Sequence, residues 1–401
     1  MKIVNVEDFF HPDAGYQINI LSKYLSSFGH EVVIVTTKMD KIPSQLMKFF
    51  SSDDIEKKDE AFAEKNNIKI VRLPIKKIIS GRAILGKCLH DCIKKECPDI
   101  LYLHGNDTLS GMQYISKSGK LSFPIITDSH MLEMASENKF NKLFRKFYKL
   151  LITPKIIKNK IPVIRTQDDD YVERCLGIPL SQAPWISVGS DTLLFHPNKD
   201  VRILFREKYN ISEDDFVVVY TGKLDKGKGG KLLAETFVRR FDTNKNVVLL
   251  VVGTCYGTYG EEVDRLFLQS ENRIIRFPTQ LYIELAQFYQ AADLSVFAKQ
   301  CSLSFYDAQA CGLPVVSEDN NINVDRNSHG NGRCFKAGDS NDFRVKITEY
   351  LNMQSNEFEA ERKCCHQFII DNYDYKDIAQ QYIEILEKEY RRFSNRKGHN
   401  D

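Results

Sequence analysis

Between Leu294 and Ser317 the chain reads LSVFAKQCSLSFYDAQACGLPVVS, which places an acidic residue, Asp307, inside a short helical pattern stopped by Gly312 and Pro314. An apolar run, a small polar loop, one or two helical turns and a second apolar run make a strand, loop, helix, strand unit. A carboxylate in that place can hold a sugar diol, because open parallel α/β sheets bind ligands at the carboxyl ends of their strands. An ordinary crossover with one surface Asp would read the same way. A second stretch, Tyr220-Thr221-Gly222-Lys223-Leu224-Asp225-Lys226-Gly227-Lys228-Gly229, follows a fully apolar run and precedes a helical one. Its ammonium groups could neutralise a departing diphosphate, or form a solvated basic turn. His11-Pro12-Asp13-Ala14-Gly15-Tyr16 follows the first apolar run and opens another helical pattern, so Gly15 either lets backbone amides approach an anion or simply forms a turn. Asp128-Ser129-His130 ends a further apolar run, and a lone histidine there is more often structural than catalytic.

Such groups need strands to carry them, and apolar strand-like runs alternate with helical patterns to both ends of the chain. In the first half the expected strands are Lys2 to Val6, Glu31 to Thr36, Ile68 to Leu73, Ile100 to His104, Pro124 to Thr127 and Val163 to Thr166, with helices such as Gly15 to Phe28 and Lys87 to Glu96. The second half restarts with Phe216 to Tyr220, Asn246 to Val252, Ile274 to Phe277, Leu294 to Phe297 and Pro314 to Ser317. This predicts an α/β protein of two Rossmann-like, doubly wound domains, with the join between about Val188 and Asp214. Residues 41 to 66 are polar and read as a mobile insertion. Lys376 to Phe393 keeps Ile378, Tyr382, Ile383, Leu386 and Tyr390 near one face of a last helix.

A length of 401 residues suits two domains, and 42% hydrophobic with 27% charged residues is globular composition. No apolar run approaches the roughly 18 residues that cross a bilayer, and Met1 to Val6 opens as a strand rather than a signal peptide, so a cytoplasmic location is expected. The ten cysteines are scattered, and no paired CxxC completes a zinc set around Cys88, Cys92 and Cys97; a reduced pool of buried thiols is the simpler account. The net charge of +2 divides unevenly, with +9 on residues 1–165 and −7 on the rest, so the first half should face an anionic partner or surface. Residues 138–160 interleave eight Lys and Arg with Phe140, Leu143, Phe144, Phe147, Tyr148, Leu150 and Leu151. They read either as a peripheral contact with an anionic membrane or as a core-packed helix with a solvated outer face.

DAQACGLPVVS resembles the EAMACGLPVVAS signature of retaining glycosyltransferases of family 4, which have the GT-B architecture. The resemblance continues through SFGHEVVIVT, the Lys223 to Gly229 turn, which is similar to the family's GRLxxxKG, and Ile186-Ser187-Val188-Gly189-Ser190-Asp191, which is similar to its IPNGVD hinge. It implies two domains facing a cleft: residues 1–190 for the acceptor, 191–375 for the nucleotide sugar, and a helix at 376–395 crossing back onto the first domain. It implies that Asp307 holds the donor ribose where the family has Glu, and that Lys223, in place of Arg, and Lys228 stabilise the leaving diphosphate. His130 would face the donor sugar, with Gly15 and Gly189 near the donor as well. The family's first Glu falls at Lys299, and its glycines fall at Gln300 and Ser302. Ser302 and Ser304 are then the candidates to replace the lost contacts, and the loops at Phe277 and Gln280 would surround the base. No bound metal or other cofactor is implied beyond the nucleotide-sugar co-substrate, and the leaving phosphate is the expected base.

The implied activity is transfer of a sugar, with retention, to a saccharide or lipid-linked saccharide in polysaccharide or glycoconjugate synthesis. Two rivals share the fold: a catalytically silent scaffolding subunit, motivated by Lys299, and a sugar-nucleotide epimerase, which would need a pair of acid/base carboxylates. Nucleic acid is not an expected partner, because the basic residues accompany no recognition module.

Overall fold

The computed structural model of the chain describes residues 1–42, 53–130 and 140–397. The chain divides into two compact units, Met1–Val188 together with Tyr375–Asp401, and Gly189–Asp374.

The first unit contains β1 (Lys2–Val6), β2 (Glu31–Thr37), β3 (Ile68–Leu73), β4 (Lys77–Ile79), β5 (Arg82–Ile84), β6 (Ile100–Leu103), β7 (Ile125–Ser129) and β8 (Val163–Arg165). Six of these form one parallel sheet in the order β3-β2-β1-β6-β7-β8. β1, β2 and β6 are near-continuous Val, Ile and Leu because a parallel sheet is covered on both faces. β4 and β5 pair separately as an antiparallel hairpin that the apolar pattern does not announce. Its two-residue loop, Ser80-Gly81, has positive φ at both positions, as a type I′ turn requires. The last helix, Tyr375–Lys397, belongs to this unit and buries Ile378, Tyr382, Ile383 and Leu386. The Gln17 amide donates to the Tyr382 hydroxyl, and Tyr24 stacks on Tyr375.

The polar insertion is corrected in part. Residues 43–52 lie outside the described residues, but Ile55–Asn66 is a helix rather than a mobile loop. Good helix formers supply the propensity, and tertiary contacts fix it: Phe62 packs edge-on against Phe10, and Asp59 pairs with Arg72 at 2.5 Å. In the basic segment, Asn138 and Lys139 also lie outside the described residues, and the remainder forms two helices, Asn141–Leu151 and Thr153–Asn159.

The second unit contains β9 (Phe216–Thr221), β10 (Val247–Val252), β11 (Arg273–Phe277), β12 (Leu294–Phe297), β13 (Val315–Glu318) and β14 (Gly332–Phe335). They form a parallel sheet in the order β11-β10-β9-β12-β13-β14. The sequence does not announce β14, four residues long and set among turn formers. The helix Ser304–Ala310 ends where GLP predicts, in a Schellman turn: Leu313 N–H donates to Ala308 C=O at 3.1 Å and Gly312 N–H to Gln309 C=O at 2.8 Å, with Gly312 at φ +74°. At the amino end of β12, Arg206 of helix Lys199–Lys208 is fully buried and pairs with Asp293 at 2.8 Å. Arg202 and Arg362 meet the same carboxylate at 2.7 and 3.3 Å, and together these cations outweigh the cost of its burial and hold its pKa below the usual range.

Candidate functional site

In each sheet the strand order reverses between the first strand and the one that continues on its other side, and ligands of open α/β sheets bind at the strand carboxyl ends there. In the second unit this point lies between β9 and β12, and both loops carry sequence-predicted residues. Lys228 is half-buried with Nζ 3.4 Å from the Cys301 carbonyl, so the basic turn after β9 reaches the loop after β12. Only glycine allows that approach: at Gly229, φ +72°, a Cβ would stand 3.0 Å from the Lys299 Cβ. Burial, with Lys223 adding, lowers the Lys228 pKa against the pull of Cys301 and Asp225. The ammonium is thus held where an incoming anion would relieve its cost. Lys223 is exposed, and its carbonyl accepts from the Tyr220 hydroxyl at 2.6 Å.

The loop after β12 is pinned from behind. Gln300 has φ +61°, so the left-handed backbone is kept although the side chain is not glycine. Its N–H donates to Glu318 Oε2 at 3.1 Å and its carbonyl accepts from Asn323 at 3.1 Å. The carbonyl of Ser302 accepts from Arg326 at 3.0 Å. With the carbonyls of Gln300, Cys301 and Ser302 committed to Asn323, Lys228 and Arg326, the trans N–H groups of Cys301, Ser302 and Leu303 point the opposite way. Lys299 is exposed, and Ser302 and Ser304 are partly so.

Asp307 is buried in the helix that follows. Its Oδ1 accepts from Ser190 Oγ at 2.8 Å and from the Tyr282 hydroxyl at 3.3 Å. Burial, with Asp191 adding, pushes its pKa up to about 7 against these two hydrogen bonds. Gly189 is the first residue of this unit and places Ser190 on that carboxylate. Phe277 packs its ring against Tyr209 and Phe288 and its carbonyl accepts from the Gly253 N–H at 3.0 Å, while the Gln280 amide donates to Pro278 C=O at 3.0 Å.

In the first unit the reversal lies between β1 and β6. Gly15 is half-buried in the turn after β1, before helix Gln17–Ser27. His130 sits at the end of β7 with its side chain 43% exposed and Nε2 3.3 Å from Asp128 Oδ2. Burial disfavours its protonation, but the Asp128 carboxylate prevails, helped by Glu7 and Asp107, and raises its pKa. Burial likewise opposes ionisation of Asp128, yet His130 and His104 hold its pKa well below the ordinary value. His104 Nδ1 is 3.2 Å from the same oxygen, to which Tyr102 also donates at 2.7 Å. Glu7, at the end of β1, is half-buried, and burial, with Asp8 and Asp128 adding, pushes its pKa up to about 8.

Sequence reasoning assigned no role to Glu7, Ser190 or Glu318. The available signal was an acid or hydroxyl immediately after an apolar run, where a strand's carboxyl end must fall.

Residues 201–364 match the family model described as glycosyl transferases group 1. The chain is 28% identical over 137 residues to a D-inositol 3-phosphate glycosyltransferase of Segniliparus rotundus, covering 32% of this chain and 30% of that protein. It is 25% identical over 194 residues to a Bacillus subtilis protein named as the glycosyltransferase EpsD, covering 47% and 50%. The matches thus span half or less of the length of these curated relatives. Among solved structures, the Anabaena protein HepE in complex with UDP and glucose superposes with a TM-score of 0.72 at 17% identity, over 97% of this chain and all of that one. At such identity the likeness is one of fold, and it extends over both parallel sheets. Residues 201–364 are therefore similar to the glycosyl transferases group 1 family, and the chain as a whole has the GT-B fold.

Proposed function

We propose that this chain is a metal-independent, retaining glycosyltransferase that moves a hexosyl-type sugar from a nucleotide-sugar donor to a hydroxyl of a saccharide or lipid-linked saccharide. The observation that carries the reading is the meeting of Lys228 with the pinned loop after β12 at the switch point of the second sheet. A nucleoside diphosphate that leaves there gains negative charge as the glycosidic bond breaks. Lys228, desolvated in advance, and Lys223 stabilise that charge, with the N–H groups of Cys301 to Leu303 as further donors. Asp307 receives the ribose hydroxyls beside Ser190. His130 faces the donor sugar, and the departing phosphate takes the acceptor proton, so no protein base is assigned. Residues 140–157 of the first unit contact an anionic membrane that presents the acceptor.

The test is calorimetric titration with UDP, GDP, ADP and their sugar conjugates in metal-free buffer, followed by NMR of the product's anomeric configuration. One nucleotide should bind with micromolar affinity and the product should keep the donor's configuration. An inverted product would refute retention, and no binding at all would favour the silent subunit. Lys228→Ala should lower kcat by about 10²–10³, the usual effect of removing one preorganised stabilising group, with the fold intact by circular dichroism.

A further inference from the structure

At the carboxyl ends of β6 and β7, three side-chain atoms converge from residues far apart in the chain. His104 Nδ1 lies 3.2 Å and His130 Nε2 3.3 Å from one oxygen, Asp128 Oδ2, and the three atoms all lie within 4.8 Å of one another. Their outer contacts decide what they present. His104 Nε2 is 3.1 Å from Asn5 Oδ1, so Asn5 holds that side of the ring and Nδ1 is the nitrogen turned toward Asp128. Thr166 Oγ1 donates to the Ser129 carbonyl at 3.2 Å and lies 3.2 Å from His130 Nδ1, so it accepts from Nδ1–H and turns Nε2 toward Asp128. Two imidazole nitrogens therefore face one carboxylate oxygen.

Either a proton or a metal ion can join the three atoms. Protonating both rings is a poor answer, because Oδ2 already accepts from Tyr102 at 2.7 Å and an oxygen with two lone pairs would then face three donors. A cation needs only the second lone pair. The two separations to Asp128 Oδ2, 3.2 and 3.3 Å, suit one: ligand bonds of about 2.0–2.1 Å in a tetrahedral zinc site put neighbouring donor atoms roughly 3.3 Å apart.

We propose that His104, Asp128 and His130 form a binding site for a divalent transition ion of the zinc class. The supporting contacts are those that orient metal ligands in general: Asn5 behind His104, Thr166 behind His130, and the Gly105 N–H donating to Asp128 Oδ1 at 2.6 Å. Tyr102 stacks on the His104 ring with centroids 4.1 Å apart and fixes its plane. The exposed His130 side is the entry path, and three protein ligands leave a fourth position for water or a substrate hydroxyl. The site rests on residues of the first unit alone and stands whether or not the proposed transfer does. An ion bound there occupies His130 Nε2 and so withdraws that group from the donor sugar, which makes the site a means of inhibition by free metal rather than a requirement for transfer.

The test is titration of the chelator-treated full-length protein with Co²⁺, read in the visible and near ultraviolet. One equivalent should give four-coordinate d–d bands without a thiolate charge-transfer band, and Zn²⁺ should displace it. His130→Ala, at an exposed position that leaves the fold intact, should abolish the bands and weaken Zn²⁺ binding at least 100-fold. Thr166→Val should weaken it about 10-fold to 100-fold, as loss of a ligand-orienting contact does. A thiolate spectrum would place the ion on the cysteines and overturn the proposal, as would unchanged affinity in His130→Ala. The competing arrangement, with the Asn5 amide reversed so that His104 donates to Asp128, predicts no stoichiometric cobalt binding.

Discussion

A carboxyl buried as deeply as Asp307 makes the donor side of the molecule sensitive to pH. Its pKa of about 7 in the folded chain exceeds the ordinary 3.8, so as pH rises from 4 to 7 the unfolded chain ionises first and stability falls. At about 1.4 kcal/mol per tenfold, this one group costs about 3 kcal/mol more at pH 8 than at pH 5. Asp307→Asn should remove that slope in denaturant unfolding at the two pH values. Hydroxyl donors from a ribose favour the carboxylate, so nucleotide binding at pH 7 should release a proton, seen as a binding heat that depends on the buffer's ionisation enthalpy and lost in Asp307→Asn. Asp307, Lys223 and Lys228 could be named as candidates from the sequence because each lies in the loop or helix that follows an apolar strand. Asp128 was visible only as a neighbour of His130, and its hold on His104 and Tyr102 was not, because that depends on how β6 and β7 stand in register.

The elements answer to a different balance. Apolar runs marked nearly every strand of both parallel sheets, since a strand covered on two faces has little choice of composition. The β4–β5 hairpin, β14 and the helix Ile55–Asn66 escaped, because a turn geometry, a four-residue pairing and a few tertiary contacts define them rather than a periodic pattern. Buried charge also ties elements together. Arg206, 1% exposed, joins helix Lys199–Lys208 to Asp293 and to the carbonyls of Ala291, Ser212 and Asp215. Arg206→Met leaves those acceptors and part of the Asp293 charge unmatched, and should destabilise the fold by about 3–5 kcal/mol, the usual cost of removing one partner of a buried pair. Since Asp293 is held below its ordinary pKa, the wild-type contribution is full above about pH 4 and fades as pH falls through the folded value.

At the scale of the molecule, charge and apolar surface coincide on the first unit. No helix among the described residues is long and apolar enough to cross a membrane. Yet Phe140, Leu143, Phe147, Leu150, Leu151 and Ile157 form an exposed stripe flanked by Lys142, Lys146, Lys149, Lys155 and Lys158, while Tyr148, Ile152 and Ile156 of the same helices enter the core. The core-packed reading thus holds for one face, and the proposed membrane contact falls to the other. Phe147→Ser with Leu150→Ser should reduce sedimentation with phosphatidylglycerol vesicles severalfold, and raised salt should do the same to the wild type; equal binding by the variant would remove the membrane contact. The chain's division has its own outcome in time. Gly189–Asp374 is one uninterrupted segment, whereas Met1–Val188 lacks Tyr375–Lys397 until the whole of that segment has been made. The second unit, though made later, can close its core first. The earlier one waits on the ribosome with the surface meant for Ile378, Tyr382 and Leu386 uncovered, so a nascent chain arrested before Tyr375 should be the species that chaperones hold.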